Sequence, residues 1–188
     1  YESENEINSL FVYDDSKNDF IGDSRFYSDG HYYTGEHSLY GVYSGKVMDL
    51  GYKFGLRNEY TGRDIEVVSQ NTKYVINRWE YFPSLHVSYD LGGGMQVMSS
   101  YTKRINRPNG WDLEPVVTWI DAYNVRTGNP GLLPEYIDSY ELGYQMMFGK
   151  SLLSFDAYYR ATRNKIERTL SLYSEDVTLQ TSSNVGKD

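Results

Sequence analysis

From about Glu36 onward the chain alternates apolar and polar side chains with a period of two, the pattern of strands whose two faces meet different surroundings. Over residues 50–61, Tyr52, Phe54, Leu56 and Tyr60 fall on one face, and Lys53, Gly55, Arg57 and Glu59 fall on the other. The same period predicts strands over 36–44, 80–89, 95–103, 136–145 and 153–160, with a closing hairpin over 166–173 and 177–181. Met95, Val97, Ser99 and Tyr101 share a face. Tyr136, Tyr140, Leu142 and Tyr144 oppose Ser139, Glu141, Gly143 and Gln145, and Leu153, Phe155, Ala157 and Tyr159 oppose Ser154, Asp156, Tyr158 and Arg160. In 80–89, Pro83 interrupts the row Tyr81, Leu85, Val87, Tyr89. A proline removes a ladder donor, so this position calls for an edge, a bulge or a strand start.

The links between these strands carry as much information as the strands. In order they are short (45–49), about sixteen residues (62–77), short (90–94), about thirty (104–135), short (148–150) and long again. Strands of about ten residues joined alternately by tight turns and long polar loops describe an outer-membrane barrel. A soluble β-sandwich also alternates, yet has little reason to collect every long loop at one end. The expected fold is therefore all-β, an antiparallel transmembrane β-barrel. This chain would be a sector of about eight strands, with long extracellular loops and short periplasmic turns. Residues 1–35 read as an acidic, irregular segment in which turn residues dominate, and 36–188 as the partial barrel.

Composition sharpens this picture. Aromatics reach 16%, with 20 tyrosines among 188 residues, which suits strands and the interfacial girdles of barrels. No run of 18 apolar residues offers a transmembrane helix. The net charge of −8 argues against a nucleic-acid partner, which would require a basic footprint. The opening residues lack the basic-then-apolar order of a signal peptide, so the sequence reads as a mature chain or a segment of one. With no cysteine, neither disulfides nor thiolate metal sites arise.

The stretch Tyr101-Thr102-Lys103-Arg104-Ile105-Asn106-Arg107-Pro108 leads, through the long loop, to Gly128-Asn129-Pro130 and Leu133-Pro134-Glu135, then Ser139-Tyr140-Glu141-Leu142-Gly143-Tyr144. This succession closely resembles the barrel region of TonB-dependent receptors, and more narrowly the outer-membrane-protein β-barrel family. Gly55-Leu56-Arg57-Asn58-Glu59-Tyr60, Tyr81-Phe82-Pro83-Ser84-Leu85, Tyr158-Tyr159-Arg160 and Asn184-Val185-Gly186 extend the likeness from about residue 40 to the end. The resemblance implies location in the outer membrane of a Gram-negative bacterium. It implies a barrel of about 22 strands, filled by a plug domain, that imports bulky ligands with energy from the TonB complex. Its partners would be the bilayer and lipopolysaccharide, the plug, the TonB complex and, as a candidate, a surface lipoprotein. Asn106, Pro108, Gly128, Asn129, Pro130, Pro134, Glu135, Glu141 and Gly143 match the family motif and are expected to be structural.

Chemistry points to binding rather than catalysis. His31, His37 and His86 lack metal-ligand spacing, and an EF-hand frame begun at Asp15 places Lys17 third and Phe20 sixth, where oxygen ligands and glycine belong. Gly92-Gly93-Gly94 lacks the lysine of a phosphate loop and reads as a hairpin turn. No cofactor or metal is expected, and the chain reads as non-enzymatic. The candidates for ligand contact are Trp111, Trp119, Tyr123 and Arg126 in the long loop, with Arg104 and Arg107 at its start. Aromatics beside polar groups can stack on sugar rings, grip peptides or hold a siderophore, or simply pack the loop onto the rim. The two arginines would attract an anionic ligand or pair with carboxylates such as Glu135 and Glu141. A row of Lys53, Arg57, Glu59, Glu141, Asp156 and Arg160 would line the lumen. Three readings remain open: a TonB-dependent importer of a siderophore, glycan or peptide; a non-transporting surface protein assembling through its loops; and a soluble β-domain.

Overall fold

The computed structural model describes residues 2–187, apart from the side chains of residues 2, 4, 6, 8, 24–26, 28, 69 and 187. In chain order its elements are β1 (Glu2–Asp14), β2 (Asp19–Val47), β3 (Leu50–Val67), β4 (Thr72–Gly92), β5 (Met95–Asn106), the one-turn helix α1 (Gly110–Leu113), β6 (Thr118–Asp121), β7 (Asn124–Arg126), β8 (Glu135–Phe148), β9 (Ser151–Ser174) and β10 (Val177–Lys187). They form one sheet in the order β1-β2-β3-β4-β5-β8-β9-β10-β7-β6. Every neighbouring pair runs antiparallel except β7 on β10. β1 and β10 are not paired with each other, so the sheet is an open arc of barrel wall.

At one end the strands are joined by tight turns, around Met48–Asp49, Gly93–Gly94 and Gly149–Lys150. Left-handed backbone closes them, at Met48 (φ 54), Gly93 (φ 61), Gly94 (φ 79) and Gly149 (φ 62). At the opposite end the sequence underestimates the strands. The link expected over 62–77 is hairpin almost throughout: β3 and β4 stay in register up to Val67↔Thr72, and only 68–71 turn. Alternation continues there because Ile65 and Val67 are fully buried on one face. Likewise β9 runs unbroken through the break expected after Arg160, so the sixth strand and the first arm of the closing hairpin are one element of 24 residues. The expected irregularity of 1–35 is also corrected. β1 pairs with β2 around a tip between Asp14 and Asp19, where Tyr13 meets Phe20 edge-on at 5.3 Å. Asp14, Asp15 and Asp19 sit at that tip, where Asp14 accepts from the Ser16 N–H at 2.9 Å and closes the turn.

The registers separate membrane wall from rim. β2, β3, β4, β5, β8 and β9 all reach the tight-turn end, but β1 pairs no lower than Thr34 and β10 no lower than Arg163. Thr34 stands 13 residues from Val47 (47 minus 34) along β2. At about 3.3 Å per residue and a tilt near 45°, that is roughly 30 Å of height, beyond an apolar band of about 25 Å. Among the described residues six strands span this height, and the described parts of β1 and β10, with the upper arms of β2, β3, β4 and β9, stand above it.

The outer face carries the aromatic ladder. Tyr101, Tyr140 and Tyr159 stack across β5, β8 and β9 at 5.0 and 6.2 Å, with Tyr60 against Trp79 at 5.1 Å. A second pair, Tyr43 with Tyr52 at 5.9 Å, lies near the tight turns. Between these two levels Leu56 and Leu142 are exposed, as an apolar band facing lipid requires. The inner face carries Lys53, Glu59, Ser100, Glu141 and Asp156, and its upper part supports a small core of Ile65, Val67, Leu113, Val116 and Leu132. Three of those five residues belong to the β5–β8 loop, which therefore folds inward over the sheet.

Candidate functional site

What draws the loop inward begins with a conflict of charge. The β3–β4 register sets Glu59 directly opposite Glu80, a like-charge pair that is unfavourable without a cation between them. Arg107, the first residue after β5, supplies it. Its Nη2 donates to Glu59 Oε2 at 2.7 Å and Glu80 Oε2 at 3.0 Å, while its Nε lies 3.6 Å from Glu36 Oε1. Arg57 adds a contact at 3.2 Å to the other oxygen of Glu59, and Tyr136 donates its hydroxyl to Glu80 Oε1 at 2.7 Å. Desolvation works against the Arg107 charge, but the Glu59 hydrogen bond and the three carboxylates outweigh it, so its pKa stands above the usual guanidinium value.

Arg107 can reach these carboxylates because β4 and β5 part company. Their ladder ends at Ser84↔Thr102, beside Pro83, which has no N–H to continue it. Above that point β4 is an edge toward β5, the first of the three options its sequence left. Arg63 closes the opening by donating to the Pro108 carbonyl at 3.3 Å, and Pro108 is buried.

The remaining motif residues tie the loop to the wall. Gly128 donates its N–H to Glu114 O at 2.7 Å, so closely that a Cβ would lie 2.5 Å from Glu114 backbone atoms. Asn129 accepts from the Gly131 N–H at 2.9 Å in an Asx turn around Pro130 and donates to the Ser182 carbonyl of β10 at 3.3 Å. Asn184 of β10 accepts from Leu133 N–H at 2.8 Å and donates to Leu133 O at 2.9 Å, and Asn164 donates to the Pro134 carbonyl at 3.4 Å. Glu135 accepts from the Asn106 side chain and from the Ile166 N–H, both at 2.7 Å. Deeper on the inner face, Glu141 accepts from Ser100 at 3.2 Å, and Gly143 leaves space beside Asp156, whose Oδ1 a Cβ would approach to 2.9 Å.

The ligand candidates divide accordingly. Trp111 and Arg126 meet, with the guanidinium 5.0 Å from the indole centroid. Trp119 pairs with Val125 across the β6–β7 hairpin, and Tyr123 is exposed at its tip. Arg104 is exposed opposite Ile137 on β8, away from that pair, and Arg107 is committed to Glu36, Glu59 and Glu80 rather than to Glu135 or Glu141.

A model of the outer membrane protein beta-barrel family matches residues 1–188. The chain belongs to that family. Its place is the outer membrane, where the six-strand wall and aromatic ladders fit. No curated protein sequence matches it. Among solved structures it is similar to the siderophore receptor PirA of Pseudomonas aeruginosa, with a TM-score of 0.55 and 15% identity over 85% of this chain and 38% of that one. It is also similar to the Serratia marcescens hemophore receptor HasR in complex with its hemophore HasA and heme, with a TM-score of 0.62 and 13% identity over 86% and 30%. A mutant of the ferric enterobactin receptor PfeA of P. aeruginosa, in complex with enterobactin, follows with 0.52 and 15% over 98% and 36%. The chain thus spans roughly a third of these receptors' lengths, and at such identities the likeness is one of fold.

Three features of the candidate site escaped the sequence reading: Glu36 and Glu80 as partners of Arg107, and Arg168 of β9, which lies beside Trp111 and Arg126. Only Glu80 had a signal, in the hairpin tip. Once 67 is paired with 72, Glu59 must face Glu80, because each pair sums to 139. Arg168 had none, since its neighbours come from three separate elements.

Proposed function

We propose that this chain is wall and rim of a TonB-dependent outer-membrane receptor that captures a ligand too large for porins and imports it. The inward-folded β5–β8 loop carries this reading: it holds Trp111 and Arg126 over the inner face, where a captured ligand would enter the lumen. The siderophore and hemophore receptors that share the fold support it. In this reading a plug domain and the TonB complex complete the machine, and Lys53, Glu141, Asp156 and Arg160 line its lumen. The test compares wild-type cells, cells lacking this protein and cells lacking TonB for uptake of ferric siderophores, glycans and peptides. Uptake of one class that requires both proteins is expected. Uptake independent of TonB, or no class lost with the protein, overturns import and leaves a surface protein that assembles through its loops.

A further inference from the structure

We propose that the pocket formed by Trp111, Arg126 and Arg168 binds the oxyanion group, carboxylate or phosphate, of an extracellular ligand. The proposal rests on the capture role of the β5–β8 loop and names the chemistry that the loop selects. The register places the cations. Arg126 of β7 lies opposite Gln180 of β10, and Ser182, two residues further on the same face, lies opposite Arg168 of β9. Both arginines therefore project from one face of a three-strand patch, and with Trp111 they line a cavity of about 40 Å³. That volume admits a compact charged group and leaves the rest of a ligand outside, against the exposed indole of Trp111.

The charge of these groups is uncommitted. Arg57, Arg107 and Arg163 each hold a carboxylate, at 3.2, 2.7 and 2.8 Å. Arg126 and Arg168 have no carboxylate partner among the described residues. The lining carboxylate, Asp112, is already engaged: Oδ1 accepts from the Ser182 hydroxyl at 3.0 Å and Oδ2 from the Asn109 N–H at 3.2 Å. Two cations against one occupied carboxylate leave a local positive excess in a chain whose net charge is −8. The Trp111 ring lies 5.0 Å from the Arg126 guanidinium carbon, a cation–π contact that uses no N–H donor, and a guanidinium's fork of donors suits an oxyanion.

The intact protein, purified from outer membranes, is titrated with benzoate and with benzamide, its neutral isostere, following tryptophan fluorescence. Trp111→Phe identifies the responding indole. Benzoate is expected to bind about tenfold more tightly than benzamide, as one charge-assisted hydrogen bond allows. Arg126→Gln and Arg168→Gln should each weaken benzoate about fivefold or more while leaving benzamide unchanged, and Arg168→Lys should restore part of the loss. Equal binding of the two probes, or an Arg168→Gln variant that is folded by heat-modifiable mobility and binds benzoate normally, overturns the proposal. Lipopolysaccharide as competitor distinguishes the sources: displacement of benzoate assigns the oxyanion to lipid, and no displacement assigns it to a soluble ligand. Failed import with benzoate selectivity intact removes the transporter and keeps the pocket, and the reverse result removes only the pocket.

Discussion

Arg107 shows how one residue can decide the position of a loop. Glu59 and Glu80 keep only 12% and 5% of their side chains exposed, so removing their shared cation strands two facing carboxylates. Breaking a buried pair costs about 3–5 kcal/mol, and with Arg107 itself 20% exposed the lower end applies, so Arg107→Ala should cost about 3 kcal/mol. A urea midpoint in lipid vesicles unchanged from wild type would contradict this. Arg107→Lys should recover less than half, since an ammonium lacks the fork that reaches Glu59 and Glu80 together. Gly128 acts by absence of a side chain. With Glu114 backbone atoms 2.5 Å from the position of a Cβ, Gly128→Val must unseat the loop. Intact cells carrying it should lose protease resistance within residues 110–133, where the wild type is held.

At the level of elements, the two faces of one strand face different solvents. Leu56 and Phe155 lie on the outer face and are exposed there, so what they touch is lipid. Leu56→Arg should cost about 2–4 kcal/mol near the midplane. Tyr158→Arg, on the inner face and beside Glu141 across the β8–β9 register, should cost little. Equal unfolding midpoints for the two variants in vesicles would reverse the face assignment. The β6–β7 turn is pH-sensitive in one direction. Asp121 accepts from the Tyr123 N–H at 2.8 Å and from the Asn124 side chain at 2.9 Å, which hold its pKa below the ordinary 3.8. A lowered folded pKa means the turn is stabilised at neutral pH and loses that support as pH falls below 3.8 through the folded value. Hydrogen exchange at the Tyr123 amide should accelerate over that interval, and Asp121→Asn should flatten the dependence.

For the molecule as a whole, the topology specifies which turns lie on each side of the membrane. This chain contains no cysteine, so each substitution adds one thiol to it, read against the unsubstituted protein as background. Asp15→Cys and Asp176→Cys sit at the β1–β2 and β9–β10 tips, and Met48→Cys sits in the β2–β3 turn. A membrane-impermeant maleimide should label the first two in intact cells and the third only after the outer membrane is opened. Labelling of Met48→Cys in intact cells would invert the barrel.

The sequence by itself determined the class of fold, because a period of two with aromatic and aliphatic residues on one face and charges on the other is a local property of each strand. It determined the tight turns for the same reason: glycine at Gly93, Gly94 and Gly149 permits the left-handed backbone that closes them. It also marked the loop motif, whose Asn129 and Pro130 form a turn within a few residues. Above the membrane polar and turn-forming residues are frequent in 1–35 and 62–77, and in the sequence alone they mark links where the sheet in fact continues. The site lay further out of reach. The union of Arg107 with Glu36, Glu59 and Glu80 depends on hydrogen-bond registers between strands and on the parting of β4 and β5 at Pro83. The meeting of Trp111, Arg126 and Arg168 depends on a parallel strand pairing between segments about fifty residues apart. Periodicity records which way a side chain points, but only the folded sheet decides what it meets.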